Sequence, residues 1–290
     1  LACAVIFVGA LLAATTGVVA AWVISMGLIS LPIMLRYGYD TKLATGVIAA
    51  SGTLAQIIPP SLVLIIMADQ LGKSVGDMYA GAFLPGMVLT SFYVGYVVLV
   101  AIFKPRWAPA LPLEARTLRG GKLLLRVLTT LVPPLMLIFL VLGTIFLGIA
   151  TPTEGGAMGA TGALIMALAR KRLSWSLLRQ AMETTAKLTT FVVFILVGAR
   201  VFSLTFYGVD GHRWVEHLLT GLPGGEVGFL IVVNALVFLL AFFLDFFELS
   251  FIVVPLLGPV GQALGIDLIW FGALLAVNMK TSFMHKSFGF

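Results

Sequence analysis

Charge is scarce in this chain. Of its 290 residues, 10% are Asp, Glu, Lys or Arg, while 60% are apolar; a soluble domain carries about 25% charged residues. So few charges cannot give a globule of this size a wet surface, which excludes a soluble fold. Cysteine is almost missing too. A single Cys3 rules out a disulfide framework within the chain and any cysteine-built metal cluster. The sequence has no phosphate-binding P-loop, no dinucleotide fingerprint and no Ser-His-Asp arrangement, which removes an ATP site and the familiar nucleophilic chemistries. His212 and His217 share one loop and His285 stands alone, a poor basis for a metal site.

What the chain does have is long apolar runs. Its mean hydropathy is +1.12, and several windows exceed the roughly 18 residues that mark a membrane-spanning helix. The runs are unbroken rather than alternating, which disfavours a closed barrel. The expected class is an all-α polytopic membrane protein in a lipid bilayer. The net charge of +6 could suggest a nucleic-acid partner, but its distribution argues for none. Lys104, Arg106, Arg116, Arg119, Lys122 and Arg126 accompany one acid, Glu114, and Arg170, Lys171, Arg172, Arg179 and Lys187 accompany Glu183. Other loops are acidic: Asp69 and Asp77 with Lys73, then Asp210, Glu216 and Glu226 with Arg213. This is the positive-inside pattern, in which basic loops set orientation. Leu1 is not an initiator Met and Phe290 stops inside an element, as expected of a piece of a longer chain.

Two stretches share their punctuation. Shifting residues 31–61 by 227 places Pro32 on Pro259, Gly38 on Gly265, Asp40 on Asp267 and Ala49 on Ala276. In each, an apolar segment leads through a Gly-x-Asp turn to a second apolar segment that breaks into polar residues. Residues 1–35 are expected to form a re-entrant hairpin with its tip at Thr15, Thr16 and Gly17, and 227–264 a second one with its tip at Asp245–Glu248. The broken segments are 43–66, interrupted at Ser51–Ser61, and the stretch from Leu268, interrupted at Asn278–Ser282. Spans are expected at 81–103, 127–149, 150–169 and 188–206, with basic loops at 104–126 and 170–187 and outer loops at 67–80 and 207–226. An odd number of spans separates the two Gly-x-Asp turns, which places them on opposite faces: an inverted repeat, the arrangement that supports alternating access. The expected domains are 1–80 (first repeat), 81–225 (scaffold and linking spans) and 226–290 (second repeat).

The breaks carry the chemistry. Pro59 and Pro60 remove two amide donors and clash with carbonyls one turn earlier, freeing oxygens near Leu54–Gln56. Together with the hydroxyls of Ser51, Thr53 and Ser61, these suit a hard monovalent cation, and the helix restarting at Ser61 turns its amides toward an anion. The simpler alternative is a proline kink healed by neighbouring helices. In the second half Asn278, Thr281 and Ser282 offer oxygen ligands. Lys280 could meet a substrate carboxylate, snorkel, or pair with Asp245 or Glu248. Asp245 is an acid inside an apolar hairpin, by default functional; its alternative is to cap the second arm. Thr151-Pro152-Thr153-Glu154 reads as a helix start with a capping box. Arg200, mid-span, reads as packing or pairing. Two rival functions are an intramembrane aspartyl enzyme using Asp40 and Asp245, for which no facing pair of acids is evident, and a membrane scaffold that transports nothing.

The stretches GVIAASGTLAQIIPPS, FLGIATPTEGGAMGA, FFLDFFELSFIVVPLLGPV and LGIDLIWFGALLAVNMKTSFMH resemble the large membrane subunit of tripartite ATP-independent periplasmic (TRAP) transporters, in the branch labelled mannitol/chloroaromatic compound type. The resemblance covers essentially the whole chain. It implies a non-enzymatic, sodium-coupled symporter of the ion-transporter-superfamily type in a bacterial inner membrane. A periplasmic binding protein delivers a small organic anion, usually a carboxylate, an elevator motion carries it, and a four-helix small membrane subunit braces the scaffold. Sodium is the coupling ion and no other cofactor is implied. By motif, the ion and substrate positions are Thr15, Thr16, Ser51, Gly52, Thr53, Gln56, Pro59, Pro60 and Ser61 in one half and Asp245, Asn278, Thr281 and Ser282 in the other. Sodium itself falls at Ser51, Gly52, Thr53, Asn278 and Thr281. One departure stands out: where the family carries a second Pro-Pro pair, this chain has Lys286-Ser287.

Overall fold

The computed structural model describes residues 1–16, 19–112 and 120–284, with side chains at all of these but 12–16, 20–22 and 281–283. Among the described residues every regular element is a helix. In order these are α1 (Ala2–Thr16), α2 (Val19–Arg36), α3 (Thr41–Thr53), a 3-10 turn (Leu54–Gln56), α4 (Leu62–Gln70), α5 (Val75–Phe103), α6 (Gly120–Phe146), α7 (Pro152–Ala169), α8 (Trp175–Gly208), α9 (Gly211–Thr220), α10 (Gly225–Leu240), α11 (Phe246–Glu248), a π-helical turn (Leu249–Val253), α12 (Val254–Ala263) and α13 (Leu268–Met284). Four stretches are long and apolar enough to cross a membrane: α5, α6, α8 and the continuous helix Phe246–Ala263. Backbone groups in hydrocarbon must be satisfied within their own segment, and helices do this.

The chain divides into two compact units. One comprises Leu1–Leu62 and Tyr79–Gly159, the other Val63–Met78 and the chain from Ala160 onward. In the first unit, α1 and α2 are separated by two residues and pack on each other and on α3. This is a helical hairpin with its turn where the sequence predicts it; Gly17 lies outside the described residues. Gly38 (φ 79°) makes the turn after α2, where a side chain would be strained. Asp40 then caps α3, its carboxylate accepting from the amides of Lys42 (3.0 Å) and Leu43 (3.1 Å). Gly52 lets α3 approach α2, because a Cβ there would collide with the Val23 side chain.

In the second unit, α10 and α13 pack together and α12 lies against α9 and α13. Phe229, Val233 and Val237 of α10 are fully buried, as are Phe271 and Leu275 of α13, and the rings of Phe229 and Phe271 sit 5.8 Å apart. Leu71 nests where Gly258 and Gly272 provide room; a Cβ at those positions would meet it at 2.9 and 2.8 Å.

Three expectations are corrected. The segment 170–187 is not a loop with a separate interfacial helix. Ser174 caps α8 through a bond to Leu177 N (3.2 Å), no Gly or Pro interrupts the next turns, and one helix of 34 residues results. At about 1.5 Å per residue it exceeds a hydrocarbon core of about 30 Å by some six turns' worth of rise at most, so its basic first turns extend past the apolar layer. The outer segment 207–226 contains α9 rather than only loop. The second broken helix is also not observed: α13 stays helical through Met284, beyond Asn278 and Ser282. The physical reason lies in the sequence departure. With Lys286-Ser287 in place of a proline pair, no pyrrolidine ring strips amides from the preceding turn, although Lys286 and Ser287 themselves lie outside the described residues.

The helix start at Thr151 matches its sequence reading. Thr151 N donates to Glu154 Oε2 (2.7 Å) and Glu154 N donates to Thr151 Oγ1 (3.3 Å), a reciprocal capping box. Thr151→Ala is expected to cost about 1 kcal/mol, read as a lowered unfolding temperature in detergent, and Thr151→Ser to retain most of the stability.

Candidate functional site

The site grows from one local conflict. A helix entering at Thr41 cannot continue past residue 58, because Pro59 and Pro60 have no amide hydrogen. The chain tightens into the 3-10 turn, and the carbonyl of Leu54 accepts from both Ile57 N (3.1 Å) and Ile58 N (3.0 Å). Pro60 cannot serve the carbonyl of Gln56 one turn back, and the Ser61 hydroxyl donates to it instead. The oxygens are therefore less bare than the sequence suggests: two of the carbonyls expected to be freed are already bonded, one by a side chain.

Four polar residues of the break are buried within the first unit: Ser51 (0% exposed), Thr53 (1%), Gln56 (2%) and Ser61 (0%). Ser51 Oγ donates to Ile48 O (3.0 Å) and Thr53 Oγ1 to Ala50 O (2.9 Å). Each hydroxyl spends its hydrogen on the backbone and keeps lone pairs for a cation. Gln56 Nε2 is buried with no hydrogen-bond partner among the described residues. Such a donor costs about 1–3 kcal/mol unless something accepts from it. The helix α1 packs against this 3-10 turn. Thr15 and Thr16 lie at the end of α1, and their side chains are outside the described ones.

A feature of α5 escaped the sequence reading. Tyr79, Gly86 and Tyr93 recur every seven residues along this helix and brace the break from end to end. The Tyr79 hydroxyl is hydrogen-bonded to the Ser61 backbone. A Cβ on Gly86 would stand 3.4 Å from both Ile57 O and Ile58 Cγ1. Tyr93 is hydrogen-bonded to the Thr53 side chain. A period of seven keeps one face of a helix on a partner, and two tyrosines flanking a glycine at that spacing were the available signal.

The second unit gathers a different set. Asp245 caps the helix that begins at Phe246, accepting from Phe246 N (2.7 Å), while Asp245 N donates to Glu248 Oε2 (3.2 Å). The capping alternative is thus the role the geometry displays for Asp245. Asn278 Nδ2 donates to the backbone O (2.8 Å) and Oδ1 (3.0 Å) of Asn234, tying α13 to α10. Ser250, fully buried in the π turn, donates to Phe246 O (2.8 Å) and touches Met279 Sδ (3.9 Å). Lys280 is 4% exposed. A lysine at the centre of a membrane helix costs about 2.5–3.5 kcal/mol on insertion scales, which burial inside protein offsets. Thr281 and Ser282 lie on the last turn of α13, and their side chains are outside the described ones. Among the described residues no group of three or more His, Cys, Asp and Glu converges. Asp40 is occupied as the cap of α3, in the first unit, and Asp245 caps a helix of the second.

Replacing Gln56 with Leu removes the unpartnered donor at similar volume. Q56L is expected to leave the ligand-free protein as stable as the parent or more so by about 1 kcal/mol, read by thermal unfolding. N278A should instead lower stability by about 1 kcal/mol, the scale of interhelical hydrogen bonds in membranes.

The family model for the tripartite ATP-independent periplasmic transporter DctM component matches residues 1–290. The "C4-dicarboxylate TRAP transporter large permease protein DctM" of Vibrio cholerae is 30% identical, over 96% of this chain and 64% of its own length. Its namesake in Pseudomonas aeruginosa is 29% identical, over 100% of this chain and 66% of its own length. The "Sialic acid TRAP transporter permease protein SiaT" of Haemophilus influenzae is 25% identical, over 91% of this chain and 42% of its own length. The chain thus spans less than two thirds of the length of these curated relatives. With its family match unbroken from end to end and its helices long and apolar enough for a multi-pass membrane protein, the chain belongs to the DctM-component family of large TRAP transporter permeases.

Proposed function

We propose that this chain forms the conducting part of a secondary transporter that imports a small organic anion, a carboxylate, together with sodium. The observation that carries this reading is the interrupted helix at Thr53–Ser61, with Ser51, Thr53, Gln56 and Ser61 all buried around it. Hydroxyl lone pairs at Ser51, Thr53 and Ser61 and the backbone at Gly52, Pro59 and Pro60 would hold sodium, as unwound membrane helices do elsewhere. Gln56 Nε2, a buried donor in want of an acceptor, would receive a carboxylate oxygen. The relatives' names, C4-dicarboxylate and sialic acid, favour an acid as cargo.

The second half would contribute through Asp245, Asn278, Thr281 and Ser282, with Asn278 and Thr281 as sodium ligands by their side-chain oxygens, and Thr15 and Thr16 would complete the first site. In the same reading an elevator motion carries the site across a bacterial inner membrane, a periplasmic binding protein delivers the cargo, and a four-helix small subunit braces the scaffold. Tyr93 and Tyr79 act as positioning residues, holding Thr53 and Ser61 in place.

Replacing sodium with potassium or choline should abolish concentrative uptake into proteoliposomes; undiminished uptake would end the coupling proposal. Ser51→Ala with Thr53→Ala should raise the sodium concentration for half-maximal uptake at least tenfold, a change that a non-transporting scaffold would not register. Tyr93→Phe should raise it by less, about two- to fivefold, the effect of losing one neutral hydrogen bond, with the maximal rate retained.

A further inference from the structure

Arg200 is left without a role by everything above. It sits on α8 between Lys187 and Asp210 as the only charged residue of that stretch, ten residues before Asp210, which is roughly 15 Å along the axis and so about half the depth of the hydrocarbon core. Among the described residues it makes no ion pair, yet an arginine at this depth faces a partner or a water-filled cavity. It lines a cleft of about 470 Å³, within the usual range of small-molecule sites. The cleft lies wholly within the second unit. One wall is a single face of α8, with Arg200, Ser203 and Tyr207 at steps of three and four; the others are Asp69 and Gln70 at the end of α4 and Phe251 of the π turn.

We infer that this cleft is an anion-binding vestibule, separate from the helix break, in which Arg200 receives the carboxylate of a small soluble ligand. Three observations converge on it. Ser203 makes no hydrogen bond among the described residues, whereas helical threonines nearby turn their hydroxyls back to the backbone, Thr205 to Val201 O (3.0 Å) and Thr185 to Ala181 O (2.9 Å). One turn further on, the Tyr207 ring is stacked on His212 at 4.4 Å, which fixes its orientation beside the cleft. The wall opposite α8 is a π-helical turn, a distortion that concentrates at functional sites. Asp69 does not cancel the arginine: its Oδ2 accepts from Gln70 Nε2 (2.8 Å). A phospholipid would offer similar oxygens, but its phosphate sits at the interface, well above the level of Arg200. The inference stands apart from sodium coupling.

The test places a thiol at the cleft and reads its surroundings. In a Cys3→Ser background, which removes the only native thiol, a Ser203→Cys variant in lipid nanodiscs is labelled with anionic sulfonatoethyl and cationic trimethylammonioethyl methanethiosulfonates of similar size. The anionic reagent is expected to react about tenfold faster or more, the scale of focusing in a charged cleft. Arg200→Gln should erase the preference, Arg200→Lys should keep it, and succinate or benzoate should slow labelling by competition. Labelling by neither reagent, or a preference indifferent to Arg200→Gln, overturns the proposal. Protection that follows the phosphatidylglycerol content of the nanodisc, with none from succinate or benzoate, also overturns it and gives the cleft to a lipid phosphate. Uptake and its sodium dependence are measured on separate samples, so a failed vestibule leaves the transport reading intact.

Discussion

Every backbone donor and acceptor inside a bilayer needs a partner in the protein, and two adjacent prolines make that impossible by helix alone. Much of the first unit can be understood as the answer to this one demand. The 3-10 turn shares one carbonyl between two amides, Ser61 supplies the hydrogen that Pro60 lacks, and α5 lays a tyrosine, a glycine and a tyrosine along the gap. The repair is specific and incomplete. Hydroxyl lone pairs and one amide nitrogen remain with capacity to spare in a place with little water, which gives a dissolved ion or acid something to bind there.

The two halves differ in how they answer. Where the first has Pro59-Pro60, the second has Lys286-Ser287, and α13 continues helical past the polar residues that the repeat would have placed in a gap. Its polar groups serve packing instead: Asn278 fastens α13 to α10 and Asp245 closes the start of the helix at Phe246. Irregularity in this half has moved into the hairpin, as the π turn at Leu249–Val253. A buried serine, Ser250, sits in that turn, so both halves combine a disturbed helix with a buried hydroxyl, reached by different chemistry.

Much of this was legible in the sequence because membrane helices are read from long signals. Apolar runs, the Gly38 and Gly265 turns, the capping box at Thr151 and the double proline each act locally, and each element formed where its residues place it. The misreadings came where a local signal was taken for a boundary. Basic residues at 170–187 suggested a loop, yet charge does not stop a helix that is well capped at Ser174 and free of glycine and proline. The polar run Asn278–Ser282 suggested a break, yet polarity alone does not remove an amide. What the sequence hid was tertiary: which hydroxyls would turn to the backbone, as Ser51 and Thr53 do, and which helix would brace the break. The Tyr79–Gly86–Tyr93 spacing becomes meaningful only once its partner is known.

The π turn also governs how this chain tolerates changes in length. A π turn holds one residue more than the α turn it replaces. Deleting a residue there would restore regular winding and swing everything after it by about 100°, carrying Val254, Leu257 and Val260 away from the interior they now fill. In this stretch an insertion or deletion acts as rotation rather than displacement, so the number of residues between Asp245 and Pro255 is under tighter constraint than their identities.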